Sequence, residues 1–339
     1  MSLIASPVWK RQAKRAVKAV VAVAVLWAVG RHVLRTWREL QEQGGTLRVD
    51  PLWVLFGGSL YLLGLAACGV YYGKLLQASP TPVPIGVAVR AYLISHLGKY
   101  VPGKAMVVVM RVGLSVPHGA RASTAAIATF YETLVMMTAG ALLAAVGFAT
   151  GPRPVQGVPI LMASMLTLAF LVVVEPRLFP RIATLVSTPF KGVGADASPR
   201  FSNRLLGSGL GWTLLGWILL GLSQVAVVRG VSSQGVPLAL WPLVAGCVAL
   251  ATVAGFVVAV LPGGLGVREW VLMTALGPAL GQERAVIAAL ALRLTWVLAE
   301  VVAAGLLALW RPATLKPKPT TVEAPTEAIV LPATEPHPQ

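Results

Sequence analysis

The residues of this chain that could do chemistry are charges set in apolar surroundings. Lys99, Lys104, Arg111, Arg268 and Arg293 stand against Glu132, Glu269 and Glu300, all within or beside long hydrophobic runs. An isolated charge at the centre of a bilayer costs about 2.5–3.5 kcal/mol on the insertion scale, so some of these must pair. The surplus is positive, and positive charge in a membrane interior suits a phosphate-bearing headgroup. Arg grips phosphate through two parallel hydrogen bonds, whereas Lys acts more as a point charge. Metal and redox chemistry have no such support. His32, His96, His118 and His337 are scattered without ligand spacing, and Cys68 and Cys247 sit in apolar runs where a thiol behaves as a small hydrophobe. No cofactor is expected.

Most of these charges flank two places where an apolar run is broken. The first is Gly98-Lys99-Tyr100-Val101-Pro102-Gly103-Lys104, and the second is Pro262-Gly263-Gly264-Leu265-Gly266-Val267-Arg268-Glu269. Proline removes a backbone donor and blocks the preceding turn, and glycine relaxes the backbone further. Inside a bilayer, such irregular backbone is tolerated only where protein or water surrounds it. A helix that restarts after a break presents free N–H groups at its first turn, which is a ready anion site. Lys99 and Lys104 are equally placed to snorkel to headgroups, Arg111 to mark a helix end, and His96 to serve as a polar packing residue. Glu132 lies far from either end of its run. Arg293 and Glu300 are two turns apart on one helix face, as a structural pair or gate.

The elements that must position these residues follow from composition. The chain has 339 residues, 56% hydrophobic and only 12% charged, with a mean hydropathy of +0.77. Soluble domains carry roughly 25% charged residues. Several runs approach the roughly 20 apolar residues that cross a hydrocarbon core. The fold class is therefore an all-α polytopic membrane protein. About six full transmembrane helices are expected, near 13–34, 51–72, 122–148, 158–174, 205–228 and 284–310, with two broken, re-entrant segments over 86–114 and 241–280. Trp53, Tyr61, Tyr71 and Tyr72 read as interfacial anchors of the second span. The net charge of +16 is concentrated in the N-terminal segment 1–15 and in the loop 175–206. That distribution fits cytoplasmic loops under the positive-inside rule rather than nucleic-acid binding. It places the chain in the cell (cytoplasmic) membrane with both termini inside. Residues 311–339 are rich in Pro, Thr and Glu and read as a disordered tail.

The two halves also echo each other. Pro102-Gly103 is followed by Arg121, Ala125, Ala126, Ala128 and Gly140; Pro262-Gly263 is followed by Arg284, Ala288, Ala289, Ala291 and Gly305. With opposite expected orientations, this is the pattern of an inverted repeat, in which matching interrupted segments point to a substrate site.

Tyr92-Leu93-Ile94 leading into the first break, then Arg111, Glu132, the second break and Arg293, resembles the signature of the lysylphosphatidylglycerol synthase transmembrane-region family, also called flippase-like domain proteins. The resemblance covers about 16–310. It implies a domain that moves lipids, or helps to move them, between leaflets. In aminoacyl-phosphatidylglycerol synthases the equivalent domain precedes a soluble transferase, and no sequence of that size follows Arg311, so a stand-alone member without that enzymatic domain is expected.

Three functions compete on this reading. The first is a translocase for a phospholipid or lipid-linked headgroup, with a central cationic cavity built from Lys99, Tyr100, Pro102, Gly103, Lys104, Arg111, Glu132, Pro262, Gly263, Gly264, Gly266, Arg268, Glu269, Arg293 and Glu300. Its partners are membrane lipids with anionic headgroups. The second is a membrane-embedded transferase using Glu132 and Glu269 as acid and base, with no nucleophile motif or nucleotide loop in its favour. The third is an accessory subunit that recruits a biosynthetic enzyme through the 175–206 loop or the tail.

Overall fold

The computed structural model describes residues 49–101, 105–150, 158–187, 199–232, 235–257 and 267–310, with a few separate positions between 27 and 42. These residues form ten α-helices and no strand: α1 Pro51–Gln77, α2 Ile85–Ser95, α3 Ala105–Ser115, α4 Ala122–Thr150, α5 Val158–Val173, α6 Leu178–Ser187, α7 Asn203–Val231, α8 Trp241–Val257, α9 Val267–Leu280 and α10 Gln282–Leu309. Short 3-10 turns cover His96–Tyr100, Val116–His118 and Leu238–Leu240. Local chemistry starts the long helices. Asp50 accepts the Leu52 N–H at 3.0 Å ahead of Pro51, and Ser202 accepts the Leu205 N–H at 3.2 Å; both are N-caps.

Among the described residues, five helices are long and apolar enough to cross a membrane: Pro51–Gln77, Ala122–Thr150, Asn203–Val231, Leu238–Val257 and Gln282–Leu309. Four of these are expected full spans, and the polytopic all-α class stands. The first expected span, 13–34, falls mostly outside the described residues. The expected span over 158–174 is α5, whose 16 residues reach about 24 Å at 1.5 Å per residue. In the second broken segment, α8 and its preceding turn form a 20-residue unit long enough to cross. In the first, α2 has only 11 residues before the turn at His96. The loop 175–206 also holds a helix, α6, that its prolines concealed. Pro180 falls in the first turn, where a missing N–H is harmless, and Glu175 Oε2 accepts the N–H groups of Arg177 and Leu178 at 2.8 Å each.

The apolar surface left outside is a lipid-facing one. On α5, Leu161, Met165 and Leu168 are each more than 60% exposed, a side-chain pattern suited to hydrocarbon rather than water. Inside, small residues let helices approach. Gly57 and Gly64 on α1 meet a stripe on α7 that repeats every seventh residue as Gly209, Gly216, Ser223 and Gly230. A Cβ on Gly64 would lie 2.9 Å from the Gly216 carbonyl oxygen, and one on Gly216 would lie 3.0 Å from the Gly64 oxygen. Ser223 Oγ closes the seam by donating to the Gly57 carbonyl at 2.7 Å. Small residues at such spacing are what draws membrane helices together.

This seam reveals the direction of the repeat. Gly57 lies against Ser223 and Val227, Gly64 against Gly216 and Leu220, and Tyr71 against Gly209. As α1 runs forward, α7 runs backward. One constant shift along the chain carries Gly57 to Gly209, Gly64 to Gly216 and Tyr71 to Ser223. It therefore exchanges the Gly57–Ser223 contact with the Tyr71–Gly209 contact, the signature of a two-fold axis through Gly64 and Gly216. The helix packing obeys the same exchange. α1 packs on α2 as α7 does on α8, α4 on α8 as α10 on α2, α4 on α7 as α10 on α1, and α3 on α4 as α9 on α10. The units α1–α4 and α7–α10 thus have the same element order, with their first helices antiparallel.

The seam gives a test. Gly64→Val forces backbone apart and should cost about 1–3 kcal/mol as an overpacked site, read as a lower thermal midpoint in detergent. Gly305→Ala, where a Cβ meets nothing within 4 Å, should leave the midpoint unchanged or slightly raised. Equal effects from the two would contradict the seam.

Candidate functional site

The charged residues gather in two groups. The first belongs to the first half. α3 delivers Arg111 and α4 delivers Glu132, 2% and 1% exposed respectively. Arg111 Nη1 meets Glu132 Oε2 at 3.0 Å, and its Nε donates to Ser95 Oγ at 3.1 Å. The Tyr92 hydroxyl donates to the other carboxylate oxygen at 3.0 Å. The guanidinium lies between two rings, with Cζ 4.0 Å from the centroid of Tyr92 and 5.0 Å from that of Tyr72. Tyr72 is itself held by Ser115 at 3.1 Å. Hydrogen bonds and aromatic faces therefore replace the water that both charges gave up, the condition under which a buried pair is tolerated.

The second group joins the halves. Glu300, on α10, is 1% exposed. Its Oε1 takes the Lys99 ammonium at 2.5 Å and accepts from the Tyr61 hydroxyl of α1. Lys99 also donates to the Tyr61 oxygen at 3.2 Å and sits 5.1 Å from the Tyr100 ring centroid. One turn earlier on the same face of α10, Trp296 stacks on Tyr61 with centroids 4.2 Å apart and planes 11° from parallel. Its Nε1 donates to Ser223 at 2.9 Å, anchoring it to the glycine seam. Against the indole lies Arg268 of α9, with Cζ 4.3 Å from the ring centroid. Position rather than length explains the reach of Lys99: Gly98 lets the turn press on α3, where a Cβ would lie 2.8 Å from the Val107 nitrogen.

His96 stands between the groups. Its ring stacks on Tyr92 at 5.9 Å, and its Nε2 lies 3.9 Å from Glu300 Oε1. The side chains of His96 and Lys99 remain 19% and 24% exposed while Glu300 is closed off. Two buried polar atoms in this neighbourhood have no hydrogen-bond partner among the described residues: Arg268 Nη2 and Glu300 Oε2. The arrangement offers one spare donor on a cation and one spare acceptor on a carboxylate, a pattern that fits binding.

Of the expected site residues, the structure brings Lys99, Tyr100, Arg268 and Glu300 together, and Arg111 with Glu132. Arg293 is half-buried on α10, two turns before Glu300. Glu269 falls on α9, its side chain outside the described part. Pro102, Gly103, Lys104, Pro262, Gly263, Gly264 and Gly266 lie outside the described residues. One reading needs correction. Tyr61, Tyr71 and Tyr72, expected as interfacial anchors, are at most 1% exposed; two of them hold the charge groups. Trp53, at 39%, keeps the exposed position of an anchor. His96, expected as a polar packing residue, stacks on Tyr92 and lies 3.9 Å from Glu300 Oε1. Trp296 was missed altogether, although its place one turn before Glu300 on a shared face was readable. Among the described residues no cluster of three His, Cys, Asp or Glu side chains could hold a metal ion, and Cys68 and Cys247 are buried free thiols.

The buried pair generates a stability prediction. Arg111→Met leaves Glu132 without its cation and should cost about 3–5 kcal/mol in detergent unfolding. Adding Glu132→Leu to that variant should recover most of the loss, because the apolar pair strands no charge. Further loss in the double variant would contradict the pairing.

No curated protein sequence matches the chain. The family model described as lysylphosphatidylglycerol synthase TM region matches residues 15–305, a span that takes in both breaks, both charge groups and every described helix up to the last turn of α10. The chain belongs to the lysylphosphatidylglycerol synthase transmembrane-region family.

Proposed function

We propose that the protein is a lipid translocase that carries an anionic phospholipid or lipid-linked headgroup between leaflets through the polar group joining its two halves. The observation that carries this reading is a guanidinium nitrogen of Arg268 that has no partner among the described residues. It is a buried, positively charged donor in the first turn of a helix that restarts after a break. Phosphate oxygens complete such a group, aided by the N–H groups of that helix start. Lys99 stands across the Tyr61–Trp296 stack as a second cation. The free oxygen of Glu300 supplies an acceptor for a hydroxyl or ammonium of the same headgroup.

We favour transport over catalysis because Glu132, one of the two carboxylates a transferase would use as acid and base, is already engaged. It accepts from Arg111 and Tyr92, which leaves it poorly placed to take a proton from an attacking group. The family also points to a lipid-related role in a membrane. We place the protein in the cell membrane with cytoplasmic termini, since the basic loops lie on that side under the positive-inside rule. An inverted repeat supplies the motion: rocking of one unit against the other opens a shared site to each face in turn.

Proteoliposomes with fluorescent phosphatidylglycerol test the reading. Purified protein should accelerate transbilayer movement, and Arg268→Ala should lower the rate at least tenfold, the loss of about 1.4 kcal/mol or more of headgroup interaction. No acceleration over empty vesicles, or a variant equal to wild type, would count against it.

A further inference from the structure

The position of His96 carries a second function for the same site. The charged and titratable groups around it come from four elements and the turn it opens: Tyr92 on α2, Lys99 beside it, Arg111 on α3, Arg268 on α9 and Glu300 on α10. Through Tyr92 it also adjoins Glu132 on α4. As the site stands, Glu300 Oε1 is satisfied by Lys99 and Tyr61, and His96 Nε2 waits 3.9 Å away. Lys99, which binds Glu300, is also one of the two cations placed to take a phosphate.

One ammonium cannot give full hydrogen bonds to both anions. When phosphate draws Lys99 away, Glu300 keeps the hydroxyl donors of Tyr61 and Tyr100 but loses the cation paired with it. An uncompensated buried charge is strongly disfavoured. The nearest remedy is a proton on His96, whose side chain is 19% exposed. We propose that the site takes up one proton with each anionic headgroup, held as a His96 imidazolium paired with Glu300. The charges balance. Phosphodiester and proton enter together as a neutral pair, and the excess of one cation set by Lys99, Arg268 and Glu300 is kept. Release on the far side lets Lys99 return to Glu300 and frees the proton there, so lipid movement is coupled to proton movement. This inference rests on the headgroup reading above and adds the co-transported ion to it.

Calorimetric titration of the full-length protein in detergent with short-chain phosphatidylglycerol tests it, run in two buffers of different ionisation enthalpy. The difference in apparent heat counts the protons bound with the lipid. About one proton per lipid is expected near neutral pH, with affinity weakening as pH rises, by up to tenfold per unit. His96→Gln should still bind lipid, with uptake near zero and affinity insensitive to pH. Binding by wild type without proton uptake, or full uptake retained in His96→Gln, overturns the proposal while leaving the headgroup reading intact. Failure of the wild type to bind phosphatidylglycerol overturns both. The wild-type proton count decides the matter even if the variant fails to fold.

Discussion

Glu300 is the residue on which the centre of this protein depends. A carboxylate that deep must be compensated, and its compensation comes from outside its own half. Lys99 reaches it from the first break, and Tyr61 reaches it from α1. Tyr61 is carried there by α1, which closes to backbone contact with α7 along the Gly64–Gly216 seam, and Lys99 by the turn that Gly98 lets press on α3. The seam in turn fixes Trp296 through Ser223, and Trp296 fixes Arg268. A chain of close contacts thus runs from two glycines to a cation with a buried nitrogen that has no hydrogen-bond partner among the described residues.

The two charge groups divide their work by completeness. Arg111 and Glu132 satisfy one another within a single half, enclosed by tyrosine rings and hydroxyls. Such a group holds α2, α3 and α4 in register and has little left for a ligand. The Lys99–Glu300–Arg268 group is incomplete and lies between halves, where relative motion would change its contacts. Burial does not distinguish the two groups, since Glu132 and Glu300 are equally buried at 1%.

Much of this was legible in the sequence. Hydropathy and length placed α1, α4, α7 and α10, because a membrane span must satisfy its own backbone and leaves little choice of element. The charges were visible as anomalies in apolar runs, and the echo between Arg121–Gly140 and Arg284–Gly305 pointed to a repeat. The partners were not legible. Nothing in the order of residues says that Glu300 pairs with Lys99 rather than with a neighbour on its own helix. The tyrosines misled for a related reason: a tyrosine near a span end has the same composition whether its hydroxyl meets headgroups or, like Tyr61, a buried carboxylate. The glycine stripe of α7 suggested close approach, but only its contacts with α1 gave the antiparallel direction. α6 was hidden by the habit of reading proline as a stop, although Pro180 sits where a helix accepts it.

The central claim is that an anionic headgroup enters the group formed by the first break and the start of α9. Photo-cross-linking with phosphatidylglycerol carrying a diazirine in its headgroup addresses this most directly, with labelled positions read by peptide mapping. The account predicts labels on residues 96–100, on the first turn of α9 and around Trp296. Labels confined to lipid-facing positions such as Leu161 and Leu168 of α5, with none at those three places, would contradict it.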